Sequence, residues 1–189
     1  MPHYRKLTYL DLPAVERHLL RLTPEERQQR FSASLNDVAI AAFCRRLSLF
    51  ENLLLGAFVD GELRGLAQLG FGPPPWRGEG ELAVSVEGAW QHRGIGSELA
   101  RRGVILGSNR GVRAIEMICM IENGPMRRIA LRLDGKLIYL GSQAESRVEL
   151  APPSGLSYLA EALSDAHGAY GGLLDTLFGG RETRAAAAS

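Results

Sequence analysis

The chain has 189 residues, 46% of them hydrophobic and 23% charged, with 22 basic and 21 acidic side chains and a net charge of +1 at pH 7. That balance suits one folded domain with a sizeable core, excludes disorder throughout, and supplies no overall field to recruit nucleic acid or an anionic membrane. No apolar run approaches the roughly 20 residues that span a bilayer, and the opening MPHYRKLTYLDLP lacks the continuous apolar stretch of a secretory signal, so a cytoplasmic setting is expected.

Residues 4–10, YRKLTYL, read as a first strand. DLPAVERHLLRL follows with Asp11 as a cap, Pro13 in the first turn and helical apolar spacing. TPEERQQRF begins a second helix, in which Thr23 caps, Pro24 suits the first helical position and Glu26 completes the spacing of a capping box. NDVAIAAFCRRLSLF continues as another helix with Asn36 as its cap. Cys44 there and Cys119 farther on lie in apolar segments without the paired spacing of a zinc site or the density of a disulfide scaffold, so both read as small core residues and no metal is expected.

The pattern changes at LLLGAFVDGELRGLAQLGF, where Asp60-Gly61 joins two apolar runs as a β-hairpin. GPPPWRGEG, residues 72–80, is a loop because three consecutive prolines cannot donate to a ladder. ELAVSVE then alternates Leu82, Val84 and Val86 with Glu81, Ala83, Ser85 and Glu87, giving a strand with one apolar and one small or acidic face. SELARRGVILGSNRG reads as a helix weakened by Gly103 and Gly107, and RAIEMICMI as a buried strand. GPMRRIALRLDGK places Met126, Ile129, Ala130 and Leu133 on one helical face, with Gly135 as a stop. LIYLG and SRVELAPP form two last strands, 155–178 is helical, and 179–189 frays. Strand, helices, three strands, helix, strand, helix and two strands make a mixed α/β layer whose first half is largely antiparallel.

Between the third strand of the antiparallel run and the next helix stands WQHRGIGSEL. A strand-to-helix loop presents the unpaired amides of the helix's first turn, reinforced by the helix dipole, and glycines let a phosphate approach them. A P-loop is excluded because no lysine followed by serine or threonine occupies the required place. A dinucleotide fingerprint is disfavoured because Leu99 stands where a third glycine belongs, and Glu116 lies mid-strand. What remains is Q-x-x-G-x-G, from Gln91 to Gly96.

On that loop, with the strand ending in Asn123 and the helix PMRRIALRL behind it, the sequence resembles the GCN5-related N-acetyltransferases over about residues 4–150. LTPEERQQRF also resembles the acceptor-side helices of bacterial members, whereas GKLIYLGS replaces the family's usual ending. The resemblance implies an α+β fold: a mixed, mostly antiparallel sheet of six to seven strands with helices on both faces. The chain is expected to divide into a domain at 1–153, a helical extension at 154–178 that falls outside the resemblance, and a tail at 179–189.

The resemblance also implies acetyl-CoA as donor. Its pyrophosphate would lie over Gln91, His92, Arg93, Gly94, Ile95, Gly96 and Ser97, and its pantetheine along Val84, Ser85 and Val86, where the central strands splay. Asn123 corresponds to an asparagine that bonds the coenzyme or a water. Arg93 can add charge-assisted bonds, while His92 is assigned no chemistry and Arg101 and Arg102 read as a charged outer helix face.

Acetyl transfer to an amine needs that amine neutral, although a lysine-like amine is mostly protonated at pH 7. Glu81, at the head of its strand, is the candidate base, and Glu87 the candidate contact for a substrate cation. Family members often protonate the thiolate with a tyrosine in the helix after the asparagine. None stands there, which leaves Tyr139 as the candidate acid or an unassisted thiolate.

The expected function is acetyl transfer from acetyl-CoA to a protein lysine or small cationic amine, in a ternary complex. The alternative is a degenerate acyl-CoA-binding module that docks a partner. Glu25, Glu26, Phe31 and Trp76 are candidate acceptor-cleft residues. A homodimer is possible, since edge strands in such folds are often covered.

Overall fold

The computed structural model describes residues 2–72 and 78–178, the side chains of 167 and 169–178 excepted. Trp76 and the tail 179–189 lie outside those residues. In chain order the elements are β1 (His3–Lys6), α1 (Leu12–Arg21), α2 (Pro24–Phe31), α3 (Asp37–Arg46), β2 (Asn52–Val59), β3 (Glu62–Phe71), β4 (Glu79–Val86), α4 (Ile95–Asn109), β5 (Ala114–Met120), α5 (Gly124–Arg132), β6 (Lys136–Leu140), β7 (Gln143–Glu149) and α6 (Gly155–Phe178). They build one seven-stranded sheet in the order β1-β2-β3-β4-β5-β7-β6, antiparallel except for the β4/β5 pair.

Local chemistry sets most of these elements. Thr23 Oγ1 accepts from the Glu26 amide at 3.2 Å while Glu26 Oε2 accepts from the Thr23 amide at 2.9 Å, closing the capping box of α2. Asn36 Oδ1 accepts from the Ala39 amide at 2.9 Å and starts α3. Asp60 and Gly61 sit at φ +52° and +76°, the paired left-handed conformations of a hairpin turn, between β2 and β3.

Three local expectations are corrected. β1 ends at Lys6 rather than Leu10, because Asp11 Oδ2 accepts from the Thr8 amide (2.8 Å) and Oγ1 (3.0 Å) and curls the chain there. Asp11 precedes α1, but its carboxylate goes to Thr8 and Arg5 and caps no amide of that helix. Asp134, not Gly135, takes the left-handed conformation after α5, at φ +60°. Gly135 is required for space, since a Cβ there would meet Ser146 Oγ and lie 2.9 Å from the Ala130 carbonyl.

Apolar side chains cover both faces of the sheet. On one side Leu55, Ala67, Leu69, Leu82 and Ile115 pack against Ile95, Leu99 and Leu106 of α4 and Met126 and Ala130 of α5. On the other, Leu54, Phe58, Leu63 and Leu66 meet Val15, Leu19 and Leu22 from α1 and its end, and Ile40 and Cys44 of α3. Gly103 and Gly107 do not interrupt α4: a Cβ at Gly103 would lie 3.1 Å from Leu82 Cδ1, and one at Gly107 3.0 Å from Leu69 Cδ2, so both let the helix settle onto the sheet.

α6 is fastened to the rest of the domain by Glu161, whose carboxylate meets Lys6 Nζ (2.5 Å), Asn109 Nδ2 (2.7 Å) and Arg110 Nη2 (3.1 Å). Among the described residues no helix is long and apolar enough to cross a membrane, and no cluster of His, Cys, Asp or Glu could hold a metal ion.

Candidate functional site

β4 and β5 pair through three residue pairs, Glu79 with Ala114, Gly80 with Ile115 and Glu81 with Glu116. Beyond Glu81, β4 keeps its ladder to β3 but has no partner in β5. A wedge therefore opens in the middle of the sheet, with Glu81 at its vertex and the Gln91–Gly96 loop at its mouth. A cavity of about 300 Å³ occupies this region. Its walls come from α2 (Glu26, Gln29, Arg30), β4 (Val84, Ser85, Val86), the loop and α5 (Met126, Ile129, Arg132).

The loop leaves the helix start behind it open. Its cap residue, Gly94, stands at φ +80° and has no side chain to accept from the first-turn amides of α4. Gly96 keeps the floor clear, because a Cβ there would lie 3.4 Å from Ile129 Cδ1 and 3.6 Å from Val86 Cγ2. Gln91 fixes the loop: its Nε2 donates to the Val86 carbonyl and to Glu26 Oε1, both at 2.9 Å. Its side chain is thus a brace, and the cavity is left to its backbone and the residues after it.

His92, at φ +59°, and Ile95, Gly96 and Ser97 also line the cavity. Arg93 does not. Its guanidinium lies 4.8 Å above the Trp90 ring. Cationic charge instead comes from Arg128 and Arg132, one turn apart on α5, the latter donating to Ser97 Oγ at 3.4 Å. The i, i+4 spacing of these two arginines was the available signal in the sequence. Arg101 and Arg102 both pair with Glu98, as an outer helix face does, and Arg102 also donates to Ser164 Oγ of α6 at 2.5 Å.

Asn123 reaches the cavity and is 9% exposed, with its Oδ1 accepting from the Met126 amide at 3.0 Å as the cap of α5. Glu81 is exposed at the vertex and is not among the residues that line the cavity, although its charge acts on Arg30, which is. Tyr139 is not brought to the cavity. β7 intervenes between β5 and β6, so Tyr139 stands on the outer strand of the sheet, 54% exposed, with its hydroxyl 3.5 Å from Arg127 Nη1.

Glu87 is not available to a substrate cation either. Only 8% exposed, it receives Arg21 Nε at 2.9 Å, Arg64 Nη1 at 2.8 Å and His18 Nδ1 at 3.1 Å. These donors hold its carboxyl far below the usual range, at about 2, against the opposing effect of burial. Burial lowers the His18 pKa, so its imidazole is neutral at pH 7. With Nδ1–H directed at the ionised Glu87, His18 Nε2 accepts the Ser85 hydroxyl at 2.9 Å.

A bulge in β3 leaves Arg64 without a cross-strand partner in β2 and presents it to this cluster. The signal for His18 was its place in the apolar stripe Val15, His18, Leu19 and Leu22, all of them buried. The cluster clamps α1 and β3 to the stretch of β4 that borders the wedge.

The family model described as the acetyltransferase (GNAT) family matches residues 14–134. No curated protein matches the sequence. Among solved structures, the chain is similar to the GNAT domain of S. lividans PAT, with 20% identity and a TM-score of 0.67 over 79% of this chain and 90% of that one. It is also similar to the ribosomal-protein-S18-alanine N-acetyltransferase of Escherichia coli (14%, TM-score 0.61, 82% and 97%). The structure of yncA from Salmonella typhimurium with its cofactor acetyl-CoA is similar at 16%, TM-score 0.61, 82% and 99%. With its wedge, loop and sheet order, the chain belongs to the GCN5-related N-acetyltransferase family, whose acetyl donor is acetyl-CoA.

Proposed function

We propose that this chain moves an acetyl group from acetyl-CoA to a primary amine, both bound at once in the wedge. The observation that carries the reading is the three-pair β4/β5 ladder, which leaves the β5-facing backbone of residues 82–85 without a strand partner beside an uncapped helix N-terminus. The residues present fit the donor. First-turn amides of α4, Arg128 and Arg132 suit its phosphates, Gly96 leaves the room, and the free edge of β4 offers amides and carbonyls to the pantetheine arm. Bound there, acetyl-CoA supplies an activated acetyl thioester.

The chain's own task is to deliver the amine unprotonated. Glu81 stands at the vertex and is the group we assign to take that proton, directly or through water. Tyr139 stands on the outer strand, away from the cavity lining, so the thiolate leaves unassisted, consistent with a thiol pKa near 8.5. The reading of a cationic acceptor loses its support, because Glu26 is engaged by Thr23 and Gln91 and Glu87 by two arginines and His18.

The test is to incubate the pure protein with acetyl-CoA and a panel of peptides, amino acids, polyamines and aminoglycosides while following free thiol. Amine-dependent thiol release is expected. Donor binding without such release with any amine would refute the enzyme reading.

A further inference from the structure

Arg30 is the charged cavity residue that neither the loop nor the clamp around Glu87 uses. It leaves α2 into the cavity wall, its guanidinium 4.8 Å from the centroid of the Phe31 ring. Nη2 donates to Gln68 Oε1 at 2.5 Å, and Gln68 is held in turn by its Nε2 donating to Asn52 Oδ1 at 2.7 Å. The residue as a whole is half-buried, but Nε is enclosed and has no hydrogen-bond partner.

An enclosed guanidinium is ordinarily matched by a carboxylate or a full set of acceptors, since burying an unmatched charge is costly. Here its partners are one neutral amide oxygen and an aromatic face. Glu81 attracts it from a distance, but desolvation prevails and pushes its pKa down to about 10. Among the described residues the acid that lines the cavity is Glu26, whose two oxygens already serve Thr23 and Gln91.

The sheet register locates the unmatched charge along the wedge. Gln68, to which Arg30 is tied, stands opposite Ala83 in β4. That is two residues from Glu81 and three short of Val86, or about 10 Å from the strand end where the loop begins, at ~3.3 Å per residue. Arg30 thus sits toward the reacting end, while Arg128 and Arg132 attend the loop from α5. Its anion is therefore one that arrives with the acceptor.

We propose that Arg30 anchors a carboxylate of the acceptor, so that the substrate class is an amine bearing a carboxyl group, of the amino-acid type. Nε is enclosed, so the guanidinium meets the carboxylate with its Nη1 and Nη2 end, and the Gln68 and Phe31 contacts hold that end in place. This assignment rests on the acetyl-transfer reading of the same wedge, and its test is arranged to separate the two.

One arm compares thiol release with free amino acids and with their carboxamides, which keep the amine and lose the charge. The expected result is a kcat/KM at least 30-fold higher for the acids in the wild-type protein. Arg30→Gln should bring that preference to near unity while leaving the dissociation constant for acetyl-CoA and the melting midpoint unchanged, and Arg30→Lys should restore part of it. Equal rates for acids and amides in the wild type would overturn the proposal, as would an Arg30→Gln protein that loses acetyl-CoA affinity but keeps the preference.

A second arm measures calorimetric binding of N-acetyl amino acids and of their amides to the protein saturated with CoA, which needs no turnover. Arg30-dependent binding of the acids with no thiol release from any amine keeps the anchor and removes the acetyl transfer. Thiol release indifferent to the carboxyl, with no Arg30-dependent binding, keeps the transfer and removes the anchor.

Discussion

Replacing Glu87 by Gln probes the buried clamp under the wedge. In the folded chain the Glu87 carboxyl is lowered from the usual 4.5 to about 2. At about 1.4 kcal/mol per pH unit this corresponds to about 3 kcal/mol if nothing screened it. The partner arginines are 32% and 25% exposed at their side chains, so solvent reduces the contribution to about 1–2 kcal/mol. A depressed folded-state pKa means stability that is fully present above pH 4.5 and fades as the pH falls toward 2. Urea unfolding of the wild type and Glu87→Gln should therefore differ by about 1–2 kcal/mol at pH 7, and the difference should fall to roughly half of that or less by pH 3 and vanish only below pH 2. Burial keeps His18 neutral and places its own titration below its usual 6.5, so it does not reverse this trend near neutrality. A deficit that stays constant from pH 7 to pH 3 would refute the assignment of this energy to the ionised carboxylate.

Three further outcomes are expected. Gly94→Glu places a carboxylate on the loop where a Cβ meets nothing within 4 Å. Calorimetry should show acetyl-CoA affinity falling 30–100-fold, about 2–3 kcal/mol, with Gly94→Ala separating the cost of φ +80° from that of the charge. Glu81→Gln should lower kcat/KM by about 10²–10⁴-fold and flatten the acidic limb of its pH profile; an unaltered profile removes Glu81 as the base. Tyr139→Phe should leave turnover within about twofold, and a tenfold drop would return the acid role to that hydroxyl.

What the sequence disclosed was mostly local. The Asp60-Gly61 turn, the Thr23–Glu26 box, the Asn36 cap and the alternation of Leu82, Val84 and Val86 each depend on neighbours a few positions away. The fate of Glu87 depends on His18 and Arg21, 69 and 66 positions distant, and on a bulge that re-aims Arg64, so its charge read as free. Tyr139 was misplaced for a topological reason. The β6–β7 hairpin could join β5 by either strand, and the one that does is β7. Arg93 failed locally instead: an aromatic ring three residues back takes its guanidinium. Arg30 was hidden inside a segment that its capping signals already explained.

The three-pair ladder between β4 and β5 makes the sheet, in mechanical terms, two leaves on a short hinge, four strands in one and three in the other. Across the wedge the leaves are joined by packing against α4 and α5 rather than by backbone bonds. The seam where the fold is least cross-linked is also the proposed donor site, so a ligand that bridged both leaves there would contribute to cohesion as well as to chemistry, raising stability with its concentration. On that reading, each turnover would fasten and then release the molecule along its own midline.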